Sequence, residues 1–329
     1  VGGAIASDVH GKNHHIAGSF CNFVKSIKIL LGNGDLVVAS DTQNVDLFKS
    51  TCGGMGLTGI IISASFQLIP ITGSQINLKT IKAKNIHEAL NVFEENSTST
   101  YTVAWIDCLS KGKNLGRSII SIGEHTSDYL TKYQSRSKIS IPFKMPNNLI
   151  NYPFVKMFNS FYYNKHLSKI NYSVTDIKNF FYPLDAINNW NRLYGSNGFL
   201  QYQFVIPKSS GVSSLVNIIT QIEKYKLSSP LAVLKVFGKG NDNLLSFPLE
   251  GYTLALDFKY NKNIFNILNK LDALILESGG KIYLTKDSRM SEQTFKKSYT
   301  KWKEFEAVRE KYCAIGKFSS LQSSRLGLK

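Results

Sequence analysis

Two segments near the N-terminus carry residue types that bind and transform small molecules. The first, Gly2 to Phe20, reads GGAIASDVHGKNHHIAGSF. Glycines 2, 3, 11 and 18 lack side chains, so the backbone there can approach a ligand closely. Asp8, His10, Lys12, Asn13, His14 and His15 add charge, proton-transfer groups and hydrogen-bond donors in the same stretch. A metal site is the first chemistry to weigh. His10 and His14 would share a face only on a helix, and Gly11 and Asn13 favour a loop. His14 and His15 are adjacent and would diverge on a strand. The spacing therefore predicts no metal centre. Histidines bonding loop carbonyls are the structural alternative.

The second segment, Cys52 to Gly59, reads CGGMGLTG. A Walker loop needs Gly-Lys-Ser/Thr and then a helix. A Rossmann loop also feeds a helix N-terminus, which holds the pyrophosphate. Here the glycines run into IIISASF, a strand pattern. An amide-lined loop that feeds a strand can instead lie along a planar ring and bond its edge heteroatoms. Further on, Gln201 and Gln203 alternate with Tyr202 on a strand, so the two amides share one face. Two amides flanked by apolar residues suit a polyol; a solvated strand face is the alternative.

The elements that must position these residues follow from the pattern. Strands are expected at 23–31, 36–39, 59–70, 101–107, 118–122, 199–206, 232–237, 252–258 and 281–285. Helices are expected at 44–50, from an Asn85 cap through Phe93, from an Asp185 cap to Gly195, at 212–225, at 264–277 and at 291–312. Residues 138–163, with three prolines and many aromatics, predict an ordered loop region. Strands alternating with helices predict an α+β arrangement with helices over one sheet.

Composition sets the outer bounds. The 329 residues are 43% hydrophobic and 19% charged, enough for a sizeable core in about two domains and unlike a disordered chain. No apolar run approaches the roughly 18 residues that a membrane span needs. The sequence opens on Val1 and Gly-Gly without a signal-peptide pattern, which predicts that it begins partway into a longer chain. Four cysteines without a CxxC pair predict reduced thiols in a cytoplasmic protein. The formal net charge is +16, with a mild concentration of lysines between Lys296 and Lys317. No RRM, zinc-finger or helix-turn-helix pattern accompanies that charge, so it predicts no nucleic-acid partner. A solvated basic face, or a phosphate- or membrane-facing one, is expected instead.

Taken together, the segments resemble a known family. The order GGAIASDVHGKNHH, GSF-x-x-FV, a Gly-Asp turn and DLF-x-x-T-x-GGMGLTGII resembles the FAD domain of the vanillyl-alcohol-oxidase (PCMH-type) superfamily. The likeness continues in TVAWID, YPLDAINNWNRLYGSNGFLQYQFVIP, VLKVFG, LSFPLEGYTLALDF and GGKIYLTKDSRM, where it is most similar to the decaprenylphosphoryl-ribose 2-oxidases. It implies an α+β fold with a split PCMH-type FAD-binding domain, residues 1–73 and 281–329, incomplete at its N-terminus. A substrate domain, 74–280, is inserted and built on an antiparallel sheet covered by helices. In the family a segment ahead of the Val1 position cradles the FAD pyrophosphate, in keeping with the opening at Val1.

The resemblance also implies roles. Val1, Gly2, Gly3, Ser7, Asp8, Val9, His10, Ile61 and Tyr283 match positions that touch a non-covalent FAD. Lys12, Gln201, Gln203, Lys235 and Asp257 match positions that bind substrate. Lys286 is the first candidate to hold or deprotonate the substrate hydroxyl, with Tyr283 and His10 as alternatives. The implied reaction is FAD-dependent oxidation of a secondary alcohol on a polyprenyl-phosphate-linked pentose, the 2-oxidation step of a 2-epimerisation toward cell-wall arabinan precursors. The implied partners are an anionic lipid-linked sugar, a short-chain reductase and a membrane surface touched peripherally from the cytoplasm. A soluble polyol or aldonolactone oxidase, or a truncated flavoprotein fragment without activity, are the alternatives. The chain departs from the family at Ala255, where mycobacterial members carry cysteine, and at Thr253 and Tyr162, which replace an asparagine and a tryptophan. Cys313-Ala314 stands in place of the usual Asp-Pro.

Overall fold

The computed structural model of the protein describes residues 1–71, 73–127 and 139–328. Two antiparallel sheets carry the fold. The smaller contains β1 (Val24–Leu30), β2 (Leu36–Ser40) and β3 (Ile60–Phe66), in the order β2-β1-β3. Ile27 and Ile29 point to one side of it and meet Ile5, Leu47 and Phe48, closing a small core.

The larger sheet has eight strands. These are β4 (Gln75–Ala83), β5 (Tyr101–Ile106), β6 (Ser118–His125), β8 (Ile170–Asp176), β10 (Phe199–Pro207), β11 (Ala232–Phe237), β12 (Gly251–Lys259) and β13 (Lys281–Ile282). Their order is β13-β10-β12-β11-β5-β6-β4-β8, antiparallel throughout. A separate pair joins β7 (Ile139–Ser140) to β9 (Ile187–Asn188).

The two-residue period of a strand sorts the large sheet's faces. Leu200, Tyr202, Phe204 and Ile206 of β10, with Leu254, Leu256 and Phe258 of β12 and Leu234 of β11, face three amphipathic helices. Helix Ile86–Glu95 contributes Leu90 and Phe93, Gly211–Lys224 contributes Leu215 and Ile219, and Ile264–Glu277 contributes Leu268 and Ile275. The first of these starts where expected, because the Asn85 carboxamide accepts the Glu88 N–H at 3.0 Å. The opposite face carries Gln201, Gln203, Lys235, Thr253 and Asp257, in register with one another: Gln201 pairs with Asp257 and Lys235 with Thr253.

Four sequence expectations need correction. Residues 138–163 are not a loop throughout: Tyr152–Asn164 is a helix, capped by Asn151 accepting from Phe154 N at 2.9 Å and carrying a proline in its first turn. Aromatics spread around it, half-buried apart from the exposed Phe161, masked the period; Lys138 itself lies outside the described residues. No helix runs from Asp185 to Gly195. Asn189 takes φ +58°, which separates β9 from a short 3-10 turn at Trp190–Tyr194. The expected helix 291–312 is two helices, Glu292–Ser298 and Trp302–Lys311. Tyr299 is drawn into the core, where its hydroxyl donates to the Ile282 carbonyl at 2.7 Å, and the backbone breaks there. Finally, the strand expected at 281–285 ends at Ile282 and gives way to a 3-10 turn, Leu284–Lys286.

Candidate functional site

The polar face of the large sheet is roofed by the segment that follows Gly2. That segment begins as a single helical turn, Gly2–Ala6, and then turns sharply at Asp8, whose φ is +39°. Aspartate tolerates this left-handed conformation better than most residues. Its carboxylate is buried and takes four donors. Oδ1 accepts from Cys21 N at 2.9 Å, and Oδ2 accepts from Asn241 at 2.7 Å, Asn243 at 3.2 Å and Ser246 at 2.6 Å. Asp8 thus anchors the segment to the loop after β11. Both its oxygens are engaged with protein, so it meets a ligand only through its backbone.

The two glycine segments meet directly. Gly53 N donates to Ile5 O at 3.0 Å and Met55 N to Ala6 O at 2.8 Å. A side chain at Gly54 would stand 2.0 Å from the Ser50 carbonyl, so only glycine fits the tight turn that leaves the helix Val45–Thr51. Gly2 and Gly3 are different: a Cβ there would meet no protein atom within 4 Å. Their missing side chains leave open space rather than close packing. Beyond Val9 and His10 an open cavity of about 360 Å3 continues past Gly18, Phe20, Phe66 and Leu68. Apolar walls with a few polar groups at one end match the size and character of small-molecule pockets. These residues fit a flavin: the mostly apolar cavity beside His10 would take its rings, and the open backbone at Gly2 and Gly3 leaves room for its polar groups.

His10 is the centre of the site. Its ring lies 4.7 Å from Phe237 and 5.3 Å from Tyr283, centroid to centroid, and Tyr283 stacks on Phe247 at 4.4 Å. His10 Nε2 is 3.0 Å from the Gln203 carboxamide nitrogen, and Nδ1 is 2.9 Å from Lys235 Nζ. Burial, aided by Lys235, His14 and Lys286, holds its pKa well below the usual histidine value, so the ring is neutral. Lys235 is pushed down to about 7 by burial, with Lys286 and Lys12 adding to it. Burial also lowers Lys286, while Asp257 opposes that shift. The Asp257 carboxylate accepts from Gln201 Nε2 at 3.0 Å and is raised by burial.

The structure therefore brings His10, Gln201, Gln203, Lys235, Asp257, Tyr283 and Lys286 together. Lys12 lies at the margin. Its ammonium donates to the Phe180 carbonyl and sits 4.2 Å above the Phe180 ring, and burial lowers its pKa to about 8. Val1 and Gly3 are exposed, Gly2 and Ser7 are half-buried, and Val9 lines the cavity beside His10. Ile61 belongs to the small sheet, paired with Ile29 and packed on that sheet's core. Among the described residues no cluster of His, Cys, Asp or Glu could hold a metal.

Thr253, which the resemblance marked only as replacing an asparagine, bonds Gln203 at 3.0 Å. Sequence reasoning missed other participants. Asn241, Asn243 and Ser246 hold Asp8. The buried Tyr194 hydroxyl has no partner among the described residues and is raised by burial and by Asp257. The strand period gave a usable signal for Thr253 alone, two residues before Ala255 and four before Asp257.

No family model matches the chain. Among curated proteins, it is 36% identical to decaprenylphosphoryl-β-D-ribose oxidase of Mycolicibacterium smegmatis, over all of this chain and 74% of that protein. It is 24% identical to an uncharacterised protein in the mprA 5′ region of Streptomyces coelicolor, over all of this chain and 93% of that one. A shorter match, 30% identical over 29% of this chain and 20% of the other, is to xylooligosaccharide oxidase of Thermothelomyces thermophilus.

The histidines make the fold sensitive to acid. Burial, with Lys235 adding and Asp8 opposing, lowers His14 from 6.5 to about 4. Between those values the unfolded chain binds more protons than the folded one, so stability falls as pH drops through the window. At about 1.4 kcal/mol per unit, the loss attributable to His14 is on the order of 3 kcal/mol. Urea midpoints measured from pH 7 to pH 4 should decline more steeply in the wild type than in His14→Gln. Equal slopes would contradict the assignment.

Proposed function

The chain belongs to the FAD-linked oxidases that include decaprenylphosphoryl-β-D-ribose oxidase, and from that premise we propose that it oxidises a secondary alcohol of a polyprenyl-phosphate-linked pentose. The supporting observation is the charge balance around His10. Among the described residues, Lys235 and Lys286, with Lys12 at the margin, surround two histidines, and the carboxylates acting there are Asp257 on Lys286 and Asp8 on His14. Such a pocket is poorly suited to a neutral ligand alone and well suited to one that brings negative charge. Gln201 and Gln203 supply directional amides for sugar hydroxyls on the same face.

A non-covalent FAD, when bound, would supply the hydride acceptor. The chain's own residues do the rest. Gln201 and Gln203 orient the sugar, and Lys286, opposite Asp257, holds the reacting hydroxyl. Phe237, Phe247 and Tyr283 exclude water from the His10 side. The keto-sugar product is suited to a short-chain reductase partner, which would complete the 2-epimerisation.

No helix among the described residues is long and apolar enough to cross a membrane. A peripheral contact has a different candidate. Met157, Phe161, Leu167, Tyr172 and Val174 are exposed around the helix Tyr152–Asn164 and the edge strand β8, with Lys156 and Lys165 among them. Exposed apolar side chains beside lysines favour an anionic lipid surface. The helix pair of 292–311 is less suited, because Phe295 and Phe305 are buried in the core.

Two outcomes are expected. Protein loaded with FAD and mixed anaerobically with a polyprenyl-phosphate pentose should lose flavin absorbance, and Lys286→Met should slow that bleaching about 100-fold or more with FAD retained. Bleaching by free polyols or aldonolactones instead would favour the soluble oxidase, and no bleaching with any alcohol would remove the enzymatic reading. Phosphatidylglycerol vesicles should retain the protein at low salt and release it at high salt, with weaker retention in Phe161→Ser/Leu167→Ser. No association at low salt would contradict the membrane contact.

A further inference from the structure

One hydrogen-bond chain crosses the polar face, and its direction is fixed at one end. Thr253 Oγ1 donates its single proton to the Phe204 carbonyl at 2.9 Å. What the hydroxyl still offers to its other side is a lone pair. The Gln203 carboxamide, 3.0 Å away, must therefore face it with nitrogen. Turned over, the amide would set its oxygen against a hydroxyl with no proton left to give. Gln203 and Thr253 are each 1% exposed, so water does not relieve that mismatch.

The same NH2 group lies 3.0 Å from His10 Nε2 and directs its second hydrogen there. His10 Nε2 then accepts and carries no proton. A neutral imidazole holds one proton, which leaves it on Nδ1. Nδ1 faces Lys235 Nζ at 2.9 Å. A protonated ring nitrogen can bond that neighbour only if the amine offers a lone pair.

We propose that Thr253 is a positioning residue which, through Gln203 and His10, fixes Lys235 as an uncharged amine and makes it the proton acceptor of the oxidation. The acceptor role rests on the function proposed above; the protonation pattern does not. In the oxidation Lys235 releases the His10 N–H and takes the hydroxyl proton. The C–H electron pair would leave as hydride, for which a bound FAD would be the acceptor, so that C=O forms as O–H and C–H break. His10 stays neutral throughout.

The surroundings favour the same state. Lys12 and His14 approach from the segment after His10, and Lys286 and Tyr283 from the turn after β13. Among the described residues, Asp257 of β12 acts on Lys286 and Asp8 on His14 and Tyr283, and neither carboxylate raises Lys235. Burial and the two other lysines lower Lys235 to about 7.

Ring-nitrogen NMR of protein labelled with 15N-histidine tests the proposal without substrate, with His10 assigned by its loss in His10→Gln. At pH 8 the His10 ring should show a bare Nε2 and a protonated Nδ1. Thr253→Ser should keep that pattern, and Thr253→Val should shift it toward the Nε2–H form as Gln203 becomes free to turn. A wild-type ring protonated on Nε2, or on both nitrogens, overturns the proposal; so does a Thr253→Val spectrum identical to wild type. Should Thr253→Val fail to fold, the wild-type tautomer decides alone. For the acceptor role, flavin bleaching by polyprenyl-phosphate pentose should lose rate below about pH 7. Thr253→Val should be roughly tenfold slower than Thr253→Ser at pH 6.5, following an upward shift of about one unit. An unmoved pH profile overturns Lys235 as acceptor, whereas absence of bleaching at every pH with the expected tautomer overturns the oxidation itself.

Discussion

The site depends on one buried carboxylate. Asp8 gathers four donors from two distant stretches, Cys21 on one side and Asn241, Asn243 and Ser246 on the other. Charge-assisted bonds of this kind are about twice as strong as neutral ones, and leaving a buried charge or its donors unpaired is costly. The bonds turn the chain at Asp8 and lay the next residues across the sheet. His10 lands between Gln203 and Lys235 because Asp8, two residues earlier, is fixed. The glycine loop follows from the same constraint, since Gly53 and Met55 bond the carbonyls of Ile5 and Ala6 just ahead of the anchor.

Around that anchor the sheet separates its two tasks by strand period alone. Even-numbered positions of β10 and β12 bury apolar side chains under the helices, and the odd-numbered positions between them present amides, Thr253 and Asp257 to the roof. The central strands are thus committed to packing on one face and to chemistry on the other. The chemical face is under-neutralised, and burial moves its lysines and histidines toward their neutral forms. Neutral nitrogen bases beside a pocket that still favours negative charge are what removal of a hydroxyl proton requires.

Much of this was legible in the sequence. Alternation placed Gln201 and Gln203 on one face, the Asn85 cap located its helix, and the contrast between CGGMGLTG and a helix-feeding phosphate loop separated the glycines from a nucleotide-triphosphate site. The pairing of the two glycine segments is also what the resemblance implied. What stayed hidden depends on long-range contacts. Asp8 matches a FAD-touching position, and its anchoring role stayed hidden because three of its four partners lie more than 230 residues away. Tyr299 broke a helix whose local pattern was continuous, because its hydroxyl is claimed by Ile282. Helix Tyr152–Asn164 was obscured by aromatics spread around it, most of them half-buried and Phe161 exposed. Strand period places Thr253 on the polar face, but its part in a chain of bonds is set by contacts with Gln203 and Phe204.

The central claim is that the Asp8-anchored segment presents bare backbone to a flavin beside His10. Gly3→Val tests it most directly, because the new side chain enters space free of protein atoms. FAD affinity measured by flavin fluorescence quenching, together with thermal melting of the apoprotein, separates binding from folding. The account predicts an unchanged melting temperature and FAD binding weakened at least tenfold. Wild-type FAD affinity in the folded variant would contradict it.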